Sequence, residues 1–157
     1  MKVDKNLEKI INKTEKIYKK IGKIYCPYFR EEISFNDKGI KHLKFKSEGK
    51  ARERKDQYMR LKNIHIAPLI IKKSSTLQEI HNKKIFVKIR TNTRKEKILK
   101  HAIYYGFIAI IEDGNFNKRV KIIIRQIEGG NKHFWSIIPF WKSNKELKLF
   151  SGNLEED

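Results

Sequence analysis

Cysteine is almost absent. Cys26 stands alone in 157 residues, which excludes an internal disulfide and a cysteine-based zinc cluster and makes an intracellular, cytoplasmic setting the default expectation. Long apolar runs are missing as well: no window reaches the roughly 18 residues of a membrane span, and the N-terminus lacks a signal peptide's apolar core. A membrane partner is therefore not expected. Acidic residues are scarce, 18 against 37 Lys and Arg, leaving a formal charge of +19. That excess must generate a strong positive field, and a polyanion is its natural partner. An AT-rich coding sequence raises Lys, Ile and Asn in any protein. Nucleic acid still fits the composition best, because interleaved aromatics and hydroxyls add stacking and hydrogen bonding to charge.

Absent motifs narrow the chemistry further. The carboxylates come as Glu31-Glu32, Glu112-Asp113 and Glu155-Glu156-Asp157, none at a recognisable metal-nuclease spacing. The histidines form no HExxH or paired-ligand motif, and there is no phosphate loop or nucleophile elbow. No metal and no cofactor are expected. What remains is His, Lys, Arg and Ser in a basic, aromatic chain. That set suffices for metal-independent RNA cleavage, where the substrate's own 2′-hydroxyl attacks. The protein need only take one proton, return another and stabilise charge on the five-coordinate phosphate.

Residue types that are present place these groups on elements. The 39% apolar fraction is enough for a real core, and the length suits one domain, read as residues 1–150 with an acidic, flexible tail over 151–157. Leu7, Ile10, Ile11, Thr14, Ile17, Tyr18 and Ile21 recur at helical spacing, with Asp4 as N-cap and Gly22 as stop. Tyr25 to Phe35 reads as extended chain, with Pro27 at an edge or the start of the strand, closed by the turn formers Asn36 to Gly39. Ile40 to Lys46 is too short to separate a strand from a first helical turn; in a strand His42 and Lys44 would point the same way. Ala51 to Ile64 reads as a basic surface helix, and Thr76-Leu77-Gln78-Glu79 has the form of a capping box opening a short helix through His81.

Ile85, Val87 and Ile89 then alternate with Lys88 and Arg90 in a half-buried strand. Lys95 to Lys100 reads as a turn or loop, Ala102 to Glu112 as a long strand, and Asp113-Gly114-Asn115 as a hairpin turn. Val120–Ile127 and Lys132–Pro139 flank a Gly-Gly turn. The expected architecture is α+β, with N-terminal helices packed on a C-terminal antiparallel sheet of about four strands.

The last hairpin carries the sharpest expectation. Pairing across its four-residue loop puts Ile127 opposite Lys132, Arg125 opposite Phe134 and Ile123 opposite Ser136. Lys121, Ile123, Arg125, Phe134, Ser136 and Ile138 then share one face, and Val120, Ile122, Ile124, Gln126, His133, Trp135 and Ile137 the other, greasier one. Arg125 and Ser136 become diagonal neighbours, roughly 5 to 8 Å apart at the β-carbons, unless a one-residue bulge separates them. A charged residue inside an apolar strand needs a buried acid or an anionic ligand.

The candidate catalytic residues are therefore His42 as acid or base, Arg125 and Lys44 for charge, and Ser136 for a phosphate oxygen. Arg52, Arg54, Lys55, Lys121, His133 and Trp135 are candidate RNA contacts. Trp135, Phe140 and Trp141 also suit the core. Arg94 and His101 imitate the Arg-x(4–6)-His spacing of another metal-independent RNase class.

Gly39-Ile40-Lys41-His42-Leu43 after a helical part, followed by strands ending in VKIIIRQIEGGNKHFWSIIPFWK, resembles the BECR nucleases, the group joining barnase, EndoU, the tRNA-cutting colicins and RelE. The pattern is similar to a phage-associated branch, in which G-I-x-H-L precedes a strand-borne Arg and a final F-[WY]-S-[VI]-[IV]-P strand. The resemblance covers roughly Tyr25 to Lys142. It implies a RelE-like fold and RNase activity without a metal, with His42, Arg125 and Ser136 at the matching positions; a carboxylate base of the barnase kind has no counterpart. The leading expectation is a toxin-like or phage-linked endoribonuclease acting on RNA, with a neutralising antitoxin or immunity protein as a partner. The alternatives are a non-catalytic, basic nucleic-acid-binding protein of a mobile element and a structural, ribosome-associated protein.

Overall fold

A computed structural model describes residues 2–47, 49–113, 116–139 and 154–157. Helix α1, Lys2–Ile21, forms where apolar residues recur every three or four positions. It begins before Asp4, which therefore lies inside the helix, and it stops at Gly22, whose φ of 64° suits glycine. Tyr18 and Thr14 are buried on its inner face. The stretch expected to be extended is a hairpin instead. Strand β1, Lys23–Cys26, turns back through residues 27–30 into β2, Glu31–Ser34. Pro27 stands in that turn.

Helix α2, Asp37–Lys44, is capped by Asn36, whose Oδ1 accepts from the Lys38 N–H at 3.1 Å. The segment that sequence left open between strand and helix is thus helical through Lys44. His42 and Lys44, two residues apart, leave its axis in different directions. A two-stranded ribbon follows, β3 Phe45–Ser47 with β4 Lys50–Ala51. Helix α3 spans Arg54–Lys62, and a single 3-10 turn over Ile64–Ile66 leads into α4, Ala67–Lys73. Pro68 sits in the first turn of α4, where its missing N–H breaks no helical bond.

The helix expected from Thr76 to His81 does not form. Gln78 instead extends the sheet: its Oε1 accepts from Ile108 N–H at 2.7 Å while its Nε2 donates to Thr76 Oγ1 at 3.1 Å. Strand β5, Glu79–Arg90, starts at once. Lys95 to Lys100, expected as a turn, belongs to β6, Lys95–Asp113, because cross-strand pairing with β5 from Arg90↔Lys95 onward outweighs local charge. Strands β7, Phe116–Ile127, and β8, His133–Pro139, complete the meander.

The molecule is α+β, and its main sheet has six strands rather than four, in the order β1-β2-β8-β7-β6-β5. The additional pair is the β1–β2 hairpin, which lies among the helices in the chain and joins the sheet through one parallel contact, Ser34↔His133. Helices α2 and α3 also pack against β8.

One sheet face carries the larger core, with Val120, Ile122, Ile124, Phe134 and Ile137 against Tyr18, Leu43, Leu61, Ile64 and Ile71. The opposite face carries a smaller cluster of Ala102, Tyr104, Ile123, Ile138 and Leu154. No described helix is long and apolar enough to cross a membrane.

Of the tail expected over 151–157, residues 154–157 are described. Leu154 and Asp157 are buried, because Leu154 joins the smaller cluster and Asp157 meets Arg60 and Ser136. Phe140 and Trp141 lie outside the described residues.

Candidate active site around Trp135

The geometry turns on one irregularity in the last hairpin. Ile123 faces Ser136 as the sequence predicts, but Ile124 faces Phe134 and Arg125 faces His133. Trp135 is the extra residue of a β-bulge. Its insertion reverses the facing of everything before it in β8. Phe134 turns into the large core, stacking on Phe35 at 4.8 Å between ring centroids, whereas the expectation had it beside Arg125. His133 and Trp135, expected on the greasy face, join Arg125 and Ser136 on the other one.

Around Trp135 two Arg–His pairs assemble. The His42 ring stacks on the indole at 3.9 Å and 18°, and the Arg125 guanidinium carbon lies 3.6 Å from the indole centroid. Arg52 Nη2 reaches His42 Nε2 at 2.9 Å, and Arg125 Nε reaches His133 Nε2 at 3.0 Å. Guanidinium only donates, so in each pair Nε2 accepts and the imidazole is neutral. Burial, and then Arg52, Arg60 and Arg125 in that order, hold His42 far below its ordinary 6.5. Burial and Arg125 push His133 down to about 3. Burial likewise lowers Arg125, and the phenol of Tyr104, its cross-strand partner on β6, is raised by its own burial while Arg125 pulls it back. Among the described residues Arg125 is the group nearest in kind to a partner for the buried Tyr104 hydroxyl, which makes no bond of good geometry.

Among the described residues no carboxylate comes within ion-pair distance of Arg125, so the buried acid that sequence allowed for is replaced by aromatic and imidazole partners. His42, Arg125 and Trp135 line one open cavity of about 420 Å³. Lys38 and Lys41 of α2, Phe45 and Lys46 of β3, and Phe86 and Lys88 of β5 complete its rim. Burial followed by Arg125 lowers Lys38. A somewhat larger cavity between α4 and β6, about 500 Å³, has no histidine or arginine in its lining and offers no comparable chemistry.

Other candidates fall elsewhere. Lys44 pairs with Glu15 of α1 at 3.2 Å and does not line the cavity. Ser136 is fully buried; its Oγ accepts from Arg60 Nη1 at 2.7 Å and donates to the Asp157 carbonyl at 2.7 Å. Arg52 is buried beside His42 instead of standing on a solvated helix face, while Arg54 and Lys55 are exposed. Lys121 is buried and bound to Glu79 at 3.0 Å. Arg94 is exposed in the β5–β6 turn and paired with Glu96; His101 lies along β6, about 23 Å away at 3.3 Å per residue, so the two do not converge. Among the described residues no cluster of potential metal ligands forms.

Arg60 and Tyr104 escaped the sequence reading. The signal for Arg60 was present: Arg52, Asp56 and Arg60 recur every four residues, and Asp56 bridges the two arginines at 3.5 and 2.6 Å. Comparisons with family models, with curated proteins and with solved structures return no match.

Proposed function

We propose that the protein is a metal-independent endoribonuclease, toxin-like or phage-linked, that binds RNA in the Trp135 cavity and cleaves it by attack of the 2′-hydroxyl. One observation carries the reading: His42 from α2 and Arg125 from β7, remote in the chain, meet on Trp135 in a single open cavity rimmed by lysines. A neutral imidazole suits proton acceptance from the 2′-hydroxyl, and a guanidinium with no carboxylate in ion-pair distance among the described residues suits the developing phosphate charge.

For His42 to act, Arg52 must leave Nε2. A phosphate offers Arg52 a stronger, charge-assisted partner and offsets the cationic crowding that disfavours imidazolium, so the same binding event readies His42 to hold a proton. His133, neutral and buried, accepts from Arg125 through Nε2 and does not line the cavity, so its task is to position that guanidinium. Ser136 and Lys44 drop out of direct chemistry in this arrangement: Ser136 positions Arg60, and Lys44 ties α2 to α1. The resemblance of G-I-K-H-L and F-W-S-I-I-P to the BECR nucleases supports the reading at His42 and Arg125, and extends it to a RelE-like fold and a neutralising antitoxin or immunity partner.

The test is cleavage of a labelled RNA in EDTA, with 2′,3′-cyclic phosphate ends among the products. His42→Ala and Arg125→Ala are each expected to lose about a hundredfold or more; robust cleavage by both variants would sink the assignment. The hydrogen bond from Arg52 to His42 Nε2 favours a second reading, a basic nucleic-acid-binding protein without catalysis. Under that reading RNA binds in a salt-sensitive way and is recovered intact after long incubation.

A further inference from the structure

Below the cavity, where β8 runs under α3, lies a second cationic site with an occupant. Arg52, Arg60 and Ser136 are all nine-tenths or more buried. Among the described residues the two guanidiniums share one carboxylate, Asp56, and a buried cation short of negative charge calls for an anion. The chain's own acidic end answers it. Arg52 Nη2 donates to the Glu156 carbonyl at 2.7 Å and to the Asp157 carbonyl at 3.4 Å. Arg60 Nη1 and Ser136 Oγ both donate to the same Asp157 carbonyl. Trp135 Nε1 donates to the Glu155 carbonyl at 3.0 Å, so the segment also touches the aromatic that His42 and Arg125 stack on.

The segment's acidic side chains take no part in that contact. It meets Arg52 and Arg60 through main-chain oxygens of Glu156 and Asp157, while its side-chain carboxylates reach outward, Asp157 to Lys121 at 3.7 Å and Glu155 to Lys83 at 3.1 Å. Its apolar hold is Leu154, buried with Ile123 and Ile138. A phosphate would present several charged oxygens to both guanidiniums at once, in the paired geometry that Arg favours.

We propose that Arg52, Arg60 and Ser136 form a phosphate-binding site, and that Leu154–Asp157 occupies it as a displaceable internal competitor. The phosphate is either one in a polynucleotide, in which case the site rests on the reading above and extends the RNA track from the cavity to α3, or a free phosphate. Displacement frees Trp135 Nε1 and draws Arg52 from His42, so occupancy by the segment restrains the neighbouring cavity.

The experiment uses the full chain and two ligands, a short single-stranded deoxyoligonucleotide and inorganic pyrophosphate. The oligonucleotide has no 2′-hydroxyl, so binding is read independently of cleavage. Leu154→Asp places a charge where only apolar side chains meet and expels the segment. If the segment holds the site nine-tenths of the time, binding tightens about tenfold, and Arg60→Ala added to Leu154→Asp abolishes the gain. Leu154→Ala, a milder release, gives a smaller gain of the same kind and decides the matter if Leu154→Asp does not fold. A gain with the oligonucleotide alone assigns the site to a polynucleotide, and a gain with pyrophosphate assigns it to free phosphate. Unchanged or weaker binding of both ligands by a folded release variant overturns the proposal, whatever the RNA cleavage assay shows.

Discussion

His42 and His133 are held neutral by arginines, and this couples the fold to pH. Both have folded-state pKa values below the ordinary 6.5, His133 near 3 and His42 lower still. The unfolded chain therefore binds more protons than the native one once pH drops below about 6.5, and stability falls with pH there. Above that value the contribution is fully present. Below it each histidine costs about 1.4 kcal/mol per pH unit, until the native ring itself protonates. Denaturant unfolding measured from pH 7 to pH 4 should show this loss, and His133→Gln should remove roughly half of the slope below pH 6. An unaltered slope in both His133→Gln and His42→Gln would place the acid sensitivity elsewhere. The same pairing predicts that a phosphate bound between the arginines raises both histidines toward their ordinary range, which is where proton transfer near neutrality needs His42.

At the scale of elements, Gly39 decides where His42 stands. A β-carbon there would fall 2.8 Å from Phe134 Cδ1, and closer still to the Phe134 carbonyl and the Tyr18 hydroxyl. Only glycine lets α2 come this near β8, and His42 is borne one turn further along the same helix. Gly39→Ala should cost about 1–3 kcal/mol through overpacking and shift α2 away from Trp135. Gly22→Ala makes a useful comparison: its left-handed φ of 64° is strained for alanine, yet a β-carbon there meets nothing within 4 Å. Both variants should melt lower than the parent chain, but only Gly39→Ala should lose RNA cleavage in proportion beyond the loss of folded protein. Equal activity per folded molecule in the two would disconnect α2 from the site.

Much of this level was legible in the chain. Strand alternation, the Gly-Gly turn and the apolar spacing of α1 located the meander and the first helix, and the charge inside β7 singled out Arg125. The bulge at Trp135 was not legible, because Phe-Trp-Ser alternates acceptably in either register and only packing of Phe134 on Phe35 and Tyr18 selects one. Nor was the β1–β2 hairpin, whose turn at residues 27–30 carries no glycine and uses Arg30 at a φ of 55°. Arg52 was singled out for a solvated phosphate contact, whereas burial against His42 gives it a different task.

For the molecule as a whole, a net charge of +19 raises the question whether RNA is held by general attraction or by a defined track. Five cations, Lys38, Lys41, Lys46, Lys88 and Arg125, line the cavity, while Lys9, Lys13 and Lys16 are exposed on α1 and outside it. If each cavity cation neutralises one phosphate of a single strand, the logarithm of the binding constant should fall against the logarithm of salt with a slope of about −3.5. Replacing Lys46 and Lys88 by Gln should flatten that slope by about 1.4, two phosphates' worth, while the same change at Lys9 and Lys16 leaves it within error. Diffuse attraction predicts the opposite pattern, with equal small effects from either pair, since removing two of many distant charges alters the field alike wherever they stand. Titrations of a short RNA at several salt concentrations separate the two, and equal slopes for both double variants would mean that the cavity is not the track.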